Sequence, residues 1–131
     1  MSLRASGFLN GIGWLLTAWG MAYTIDLTAR GDKVTSAQWL YLMDELGGIE
    51  SWQVLFGAGT AILLAGMLTQ VYRIRAVGCA ILALGSGMVA LFYALAPAQI
   101  GLTTLGHWPW ILAMIIMLVG AVVNWNPTAW F

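Results

Sequence analysis

Few side chains in this 131-residue sequence could carry chemistry: five acidic and five basic residues, one histidine and one cysteine. His107 stands alone, so a haem gripped by two opposed axial histidines has no ligand pair. It reads as an interfacial or capping residue. Cys79 has no second cysteine to pair with and no base beside it, which leaves it a small packing residue. Asp44 and Glu45 are adjacent acids that could form a partner surface or a loose cation site, solvation being the plainer role. Nothing around them selects a particular metal. The hydroxyls of Thr17, Thr60 and Ser86 fall within long apolar runs, where Ser and Thr usually bond the carbonyl four residues back. In an assembly of copies, the same three could line a wet path. No glycine-rich phosphate loop and no Ser/His/Asp set occurs. The expectation is a protein without catalysis, cofactor or metal.

The elements that must hold these residues follow from composition. Apolar residues make up 61% of the chain and charged ones 8%, against about 25% charge in a soluble domain. That excludes an ordinary soluble fold, a disordered tail and a nucleic-acid binder. Four stretches of about 20 residues, 7–25, 52–72, 76–96 and 108–125, contain no Asp, Glu, Lys, Arg or His. Helices are the expected spanning form, because lipid offers no partner to exposed backbone groups. The predicted fold is an all-α integral membrane protein, a single domain over 1–131 built as a four-transmembrane-helix bundle. A short amphipathic helix over 36–46 in the outer loop should put Trp39, Leu42, Met43 and Leu46 on one face. Gly20-Met21-Ala22 loosely imitates a signal-peptide cleavage site, but the Gly and Trp residues interrupting the first stretch argue that it stays in the membrane.

Charge placement predicts orientation. Arg4 precedes the first stretch, and Arg73 and Arg75 are expected to form the tight turn between the second and third. The 26–50 connection holds Arg30 and Lys33 against five acids. Basic residues stay cytoplasmic, so both termini should be inside. Most of the tryptophans, Trp108 and Trp110 among them, fall near stretch ends as an aromatic belt would.

Small residues suggest where helices touch: Gly57, Ala61 and Ala65 on the second stretch, Cys79, Ala83 and Gly87 on the third, and Gly7 with Gly11 on the first. Either they close one bundle or one stripe meets a neighbouring copy. Proton-coupled transport, voltage sensing and ion pumping all need an ionisable group inside the membrane, and these stretches hold none.

The layout, with Trp39-Leu40-Tyr41-Leu42, Gly47-Gly48-Ile49, Trp52 and Phe56-Gly57 in its outer segment, resembles the small four-span membrane proteins of actinobacterial bacteriophages. Many of these are treated as holins. The resemblance implies a protein that accumulates in the host inner membrane, associates laterally and permeabilises it. Holins typically end in a charged tail, whereas this sequence ends Asn126-Pro127-Thr128-Ala129-Trp130-Phe131. The expected partners are therefore the lipid bilayer and further copies of the chain. A non-catalytic subunit of a larger membrane complex is the alternative, and a narrow channel for uncharged solutes is a third reading.

Overall fold

The computed structural model describes residues 2–30, 48–95 and 107–131. All of its regular structure there is helical: α1 (Leu3–Arg30), α2 (Gly48–Thr69), α3 (Tyr72–Leu95), α4 (His107–Trp125) and a closing 3-10 turn at Pro127–Ala129. The amphipathic helix expected over 36–46, with Trp39, Asp44 and Glu45, lies outside the described residues.

Local chemistry sets the helix ends. The Ser2 hydroxyl accepts the Ala5 N–H at 3.1 Å and caps α1. Pro109 sits in the first turn of α4, where a missing N–H removes no helix bond. The α2–α3 turn differs from expectation. It is formed by Gln70 and Val71, not by Arg73–Arg75, and both arginines belong to the start of α3. The reason is a helix stop that sequence spacing does not announce. Gln70 takes a left-handed conformation (φ 59°), and Val71 N–H donates back to the Gly66 carbonyl at 3.2 Å. That is the Schellman closure usually served by glycine.

Helices α2 and α3 pack antiparallel along a seam with heptad spacing. Positions 56, 59, 63 and 66 oppose 85, 82, 78 and 75, and each layer sets a large side chain against a glycine. Phe56 meets Gly85, Leu82 meets Gly59, Leu63 meets Gly78 and Arg75 meets Gly66. The approach is backbone-close: a Cβ on Gly66 would stand 2.6 Å from the Arg75 nitrogen. Helix α1 repeats the device on the other side of α2, with Gly13 against Met67 and Gly20 against Thr60. Farther along, Gln53 Nε2 donates to the Leu27 carbonyl at 3.0 Å. Helix α4 closes on α3 through Gly120 at Cys79 and Met114 at Gly87.

This order places α3 at the centre of the packing and α4 at its margin. In the apolar portion of α3, 56% of residues are buried, against 17% in α4. The α4–α1 side is the least closed, held by Leu16 near Gly120 and by a Trp19–Trp110 ring contact at 5.8 Å. Three segments, Glu50–Thr69, Tyr72–Leu91 and Trp108–Trp125, are long and apolar enough to cross a membrane. Helix α1 is long enough too, but Asn10, its threonines and four glycines dilute its apolar character. The expected four equal spans thus become four long helices, three of which meet the apolar requirement.

Candidate functional site

Antiparallel packing gathers the start of α1, the end of α2, the start of α3 and the end of α4 at one end of the bundle. That end holds Arg4, Arg73 and Arg75 and no aspartate or glutamate among the described residues, whereas Asp26 and Glu50 lie at the other. Arg4 and Arg73 are exposed. Arg75 is fully buried, at 0% exposure.

Arg75 occupies a seam position of α3, and the missing side chain of Gly66 gives its stem room. Its planar fork then reaches three neutral acceptors. Nε donates to the Gly66 carbonyl at 3.2 Å, one terminal nitrogen to Asn10 Oδ1 at 2.8 Å and the other to Gln70 Oε1 at 2.8 Å. The guanidinium carbon also lies 4.5 Å from the centre of the Tyr72 ring, a cation–π distance. Tyr72 Oη in turn lies 3.5 Å from Ser6 Oγ. Gln70 is held from its other side, because its Nε2 donates to the Met67 carbonyl at 2.7 Å. One side chain thereby ties α1, the α2 terminus and α3 together. From sequence, Arg75 is expected in the tight turn between the second and third stretches, as a marker of topology. The structure places it inside a helix and inside the bundle. Glycine at position 66, nine residues earlier, is the signal that could have pointed there.

The hydroxyls expected to line a path are occupied within the bundle. Thr17 donates to the Gly13 carbonyl at 2.7 Å and Thr60 to the Phe56 carbonyl at 2.8 Å, each bonding its own helix. Ser86 lies 3.5 Å from the Met117 sulfur across α3 and α4. All three are buried, and they sit at two different helix interfaces. The small-residue stripes separate as well. Cys79 and Ala83 are buried, and Cys79 and Gly87 face α4. Ala61 and Ala65 are exposed, and Gly57 is half-buried on a groove of about 240 Å³ between α1 and α2. Gly7 and Gly11 have open space beside them. The glycines that do close the helices, at 13, 20, 59, 66, 78 and 85, are spaced by seven, so a pattern of small residues every fourth position does not contain them.

At the other end Trp19, Tyr23, Phe56 and Trp110 form an aromatic cluster. Tyr23 lies edge-on to both Phe56 and Trp110 with ring centres 4.8 Å apart, a geometry that the ring quadrupoles favour. Among the described residues no group of three His, Cys, Asp or Glu side chains could hold a metal. His107 opens α4, and Cys79 is buried against Gly120. Chemically, then, the described residues at the basic end offer one buried cation on neutral acceptors and two exposed arginines, beside apolar grooves.

Comparison with protein-family models, curated proteins and solved structures finds no match for this chain.

Proposed function

We propose that the chain is a non-catalytic, four-span protein of a bacterial inner membrane, with both termini cytoplasmic, that associates laterally and permeabilises the bilayer in the manner of a holin. The observation that carries this reading is the division among its small residues. Glycines at heptad spacing close the bundle, while Ala61 and Ala65, with Gly57 at the groove edge, leave a shallow face of α2 turned outward. In lipid no hydrophobic force draws helices together, and small residues allow the close backbone contact that does. A membrane setting for α1 is supported by its outward side chains. Phe8, Trp14, Leu15, Met21 and Ile25 are exposed, while Thr17 is buried and Asn10 is bonded to Arg75. Leu63, Leu82, Phe56 and Met117 fill the interior, so a leak would form between copies and not through one.

The test is Ala61→Cys in a Cys79→Ser chain, expressed in a bacterium. Oxidation should link copies through position 61, and high expression should collapse the membrane potential abruptly. Monomers after oxidation together with an unchanged potential would end this reading.

A second reading, a stoichiometric subunit of a larger membrane complex, is favoured by the closed interior and by an Arg75 bonded to three acceptors inside the chain. Trp39, Asp44 and Glu45 would then be its docking element. Purification in mild detergent separates the two: a second protein in fixed ratio supports the subunit, a homo-oligomer supports the first reading.

A further inference from the structure

We propose that the outer groove between α3 and α4 at the basic end binds one anionic phospholipid, with its phosphate on Arg73 and an acyl chain along Ala76, Val77 and Ala80. This rests on the reading of the chain as a membrane protein. The groove is open on one side, has a volume of about 340 Å³ and is lined by Ala76, Val77, Ala80, Ala121, Val122 and Trp125. That volume falls in the range of about 300–1,000 Å³ usual for small-molecule sites. Its floor is shallow because three of the six residues are alanines, and it offers a chain nothing but apolar contact.

Arg73 stands at the mouth. Positions 76, 77 and 80 follow it by three, four and seven residues, so all four share one face of α3. Its guanidinium carbon lies 4.9 Å from the centre of the Trp125 ring, and Trp125 itself forms the end of the groove. Stacking on an aromatic face leaves the edge donors of a guanidinium free for a planar or tetrahedral oxyanion. Arg73 has no hydrogen bond or ion pair with any described residue. Asp26 and Glu50, the described acids, lie at the far end of the bundle. A cation stacked at the head of an apolar slot, with every described aspartate and glutamate at the far end of the bundle, complements a negative headgroup followed by hydrocarbon. Arg75 cannot compete for that headgroup, since it is buried and its fork is spent on Asn10, Gln70 and Gly66.

The experiment is native mass spectrometry of the full chain in detergent, with equal amounts of phosphatidylglycerol and phosphatidylcholine added. Wild type should retain phosphatidylglycerol about fivefold over phosphatidylcholine, the worth of one basic residue at an anionic membrane surface. Arg73→Gln should bring that ratio to about one, and Arg4→Gln, at the same end but away from the groove, should leave it unchanged. Ala80→Phe, which fills the slot, should lower phosphatidylglycerol retention with Arg73 still present. An unchanged ratio in Arg73→Gln, or an equal loss in Arg4→Gln, would overturn the site. Alkaline carbonate extraction tells the two levels apart. A chain that stays with the membrane but shows no preference loses only the lipid site, whereas a chain released by carbonate loses the membrane reading and the site with it.

Discussion

A guanidinium has five N–H donors and no acceptor, so burying it demands a ring of oxygens at matched angles. Arg75 finds three of them, one on α1 and two at the α2 terminus, and none of them is charged. Hydrogen bonds with one ionised partner are roughly twice as strong as neutral ones, and losing that partner leaves buried acceptors without a donor. Arg75→Ala should therefore destabilise the bundle by about 3 kcal/mol, combining lost bonds with a cavity beside Gly66. Arg75→Lys should recover only part of this, because one ammonium on a flexible stem cannot serve three divergent oxygens. Unfolding of the purified protein in a mixed micelle by a denaturing detergent measures both. An Arg75→Ala chain within about 0.5 kcal/mol of wild type would show that this layer does not hold the bundle. Gln70 belongs to the same argument. Its left-handed backbone is strained for a residue with a side chain, and both ends of its amide are engaged, one by Arg75 and one by the Met67 carbonyl. Gln70→Ala keeps the strain and removes both bonds, so a loss of about 1–3 kcal/mol is expected in the same assay.

Between elements the controlling feature is the exchange of large for small along the α2–α3 seam. A bulky residue there must push two backbones apart, whereas a bulky residue at exposed Ala61 extends into the open groove beside α1. Gly78→Val would thrust its branches into the Leu63 backbone, which a Cβ alone would approach to 2.5 Å, and should cost more than about 3 kcal/mol. Ala61→Leu should leave the unfolding of the single chain within about 0.5 kcal/mol of wild type while weakening any crosslinking between copies. Similar losses of stability in the two variants would contradict this division. Four long helices were legible from the sequence through their apolar length, but their ends were less so: α1 runs Leu3–Arg30 where the charge-free stretch is 7–25, and α2 stops at Thr69 where the stretch continues to 72. The contacts were also less legible. Of the small residues spaced every fourth position on α3, Cys79 and Gly87 meet α4 and Ala83 is buried. The same spacing on α2 marks an outward face. Which stripe is inside depends on the partner helix, and only the matched pairs Phe56–Gly85, Leu82–Gly59 and Leu63–Gly78 decide it. The burial of Arg75 is hidden for a related reason: a positive charge close to a turn can mark topology and also clamp the interior, and the clamp depends on Gly66 and Asn10.

For the molecule as a whole, the formal charge of zero conceals an uneven distribution. Among the described residues, Arg4, Arg73 and Arg75 gather at one end, and Asp26 and Glu50, with Arg30, at the other. Orientation in a bilayer is decided by the basic residues that flank the spans, and acids contribute little. The comparison is then three arginines at the basic end against Arg30 and Lys33 in the 26–50 connection. Such a margin is narrow. Because Arg75 is also needed inside the bundle, the two arginines that can be changed without breaking the fold are Arg4 and Arg73. Replacing both with glutamine leaves one basic residue against two, so the preference should weaken or reverse while the helices still pack. Ser2→Cys in a Cys79→Ser chain reports the outcome through a thiol reagent that does not cross membranes. In intact cells the cysteine should be protected when Arg4 and Arg73 are present. In the Arg4→Gln, Arg73→Gln chain, a substantial share should become labelled from outside. Full protection in both chains would mean that orientation is set by something other than these two charges.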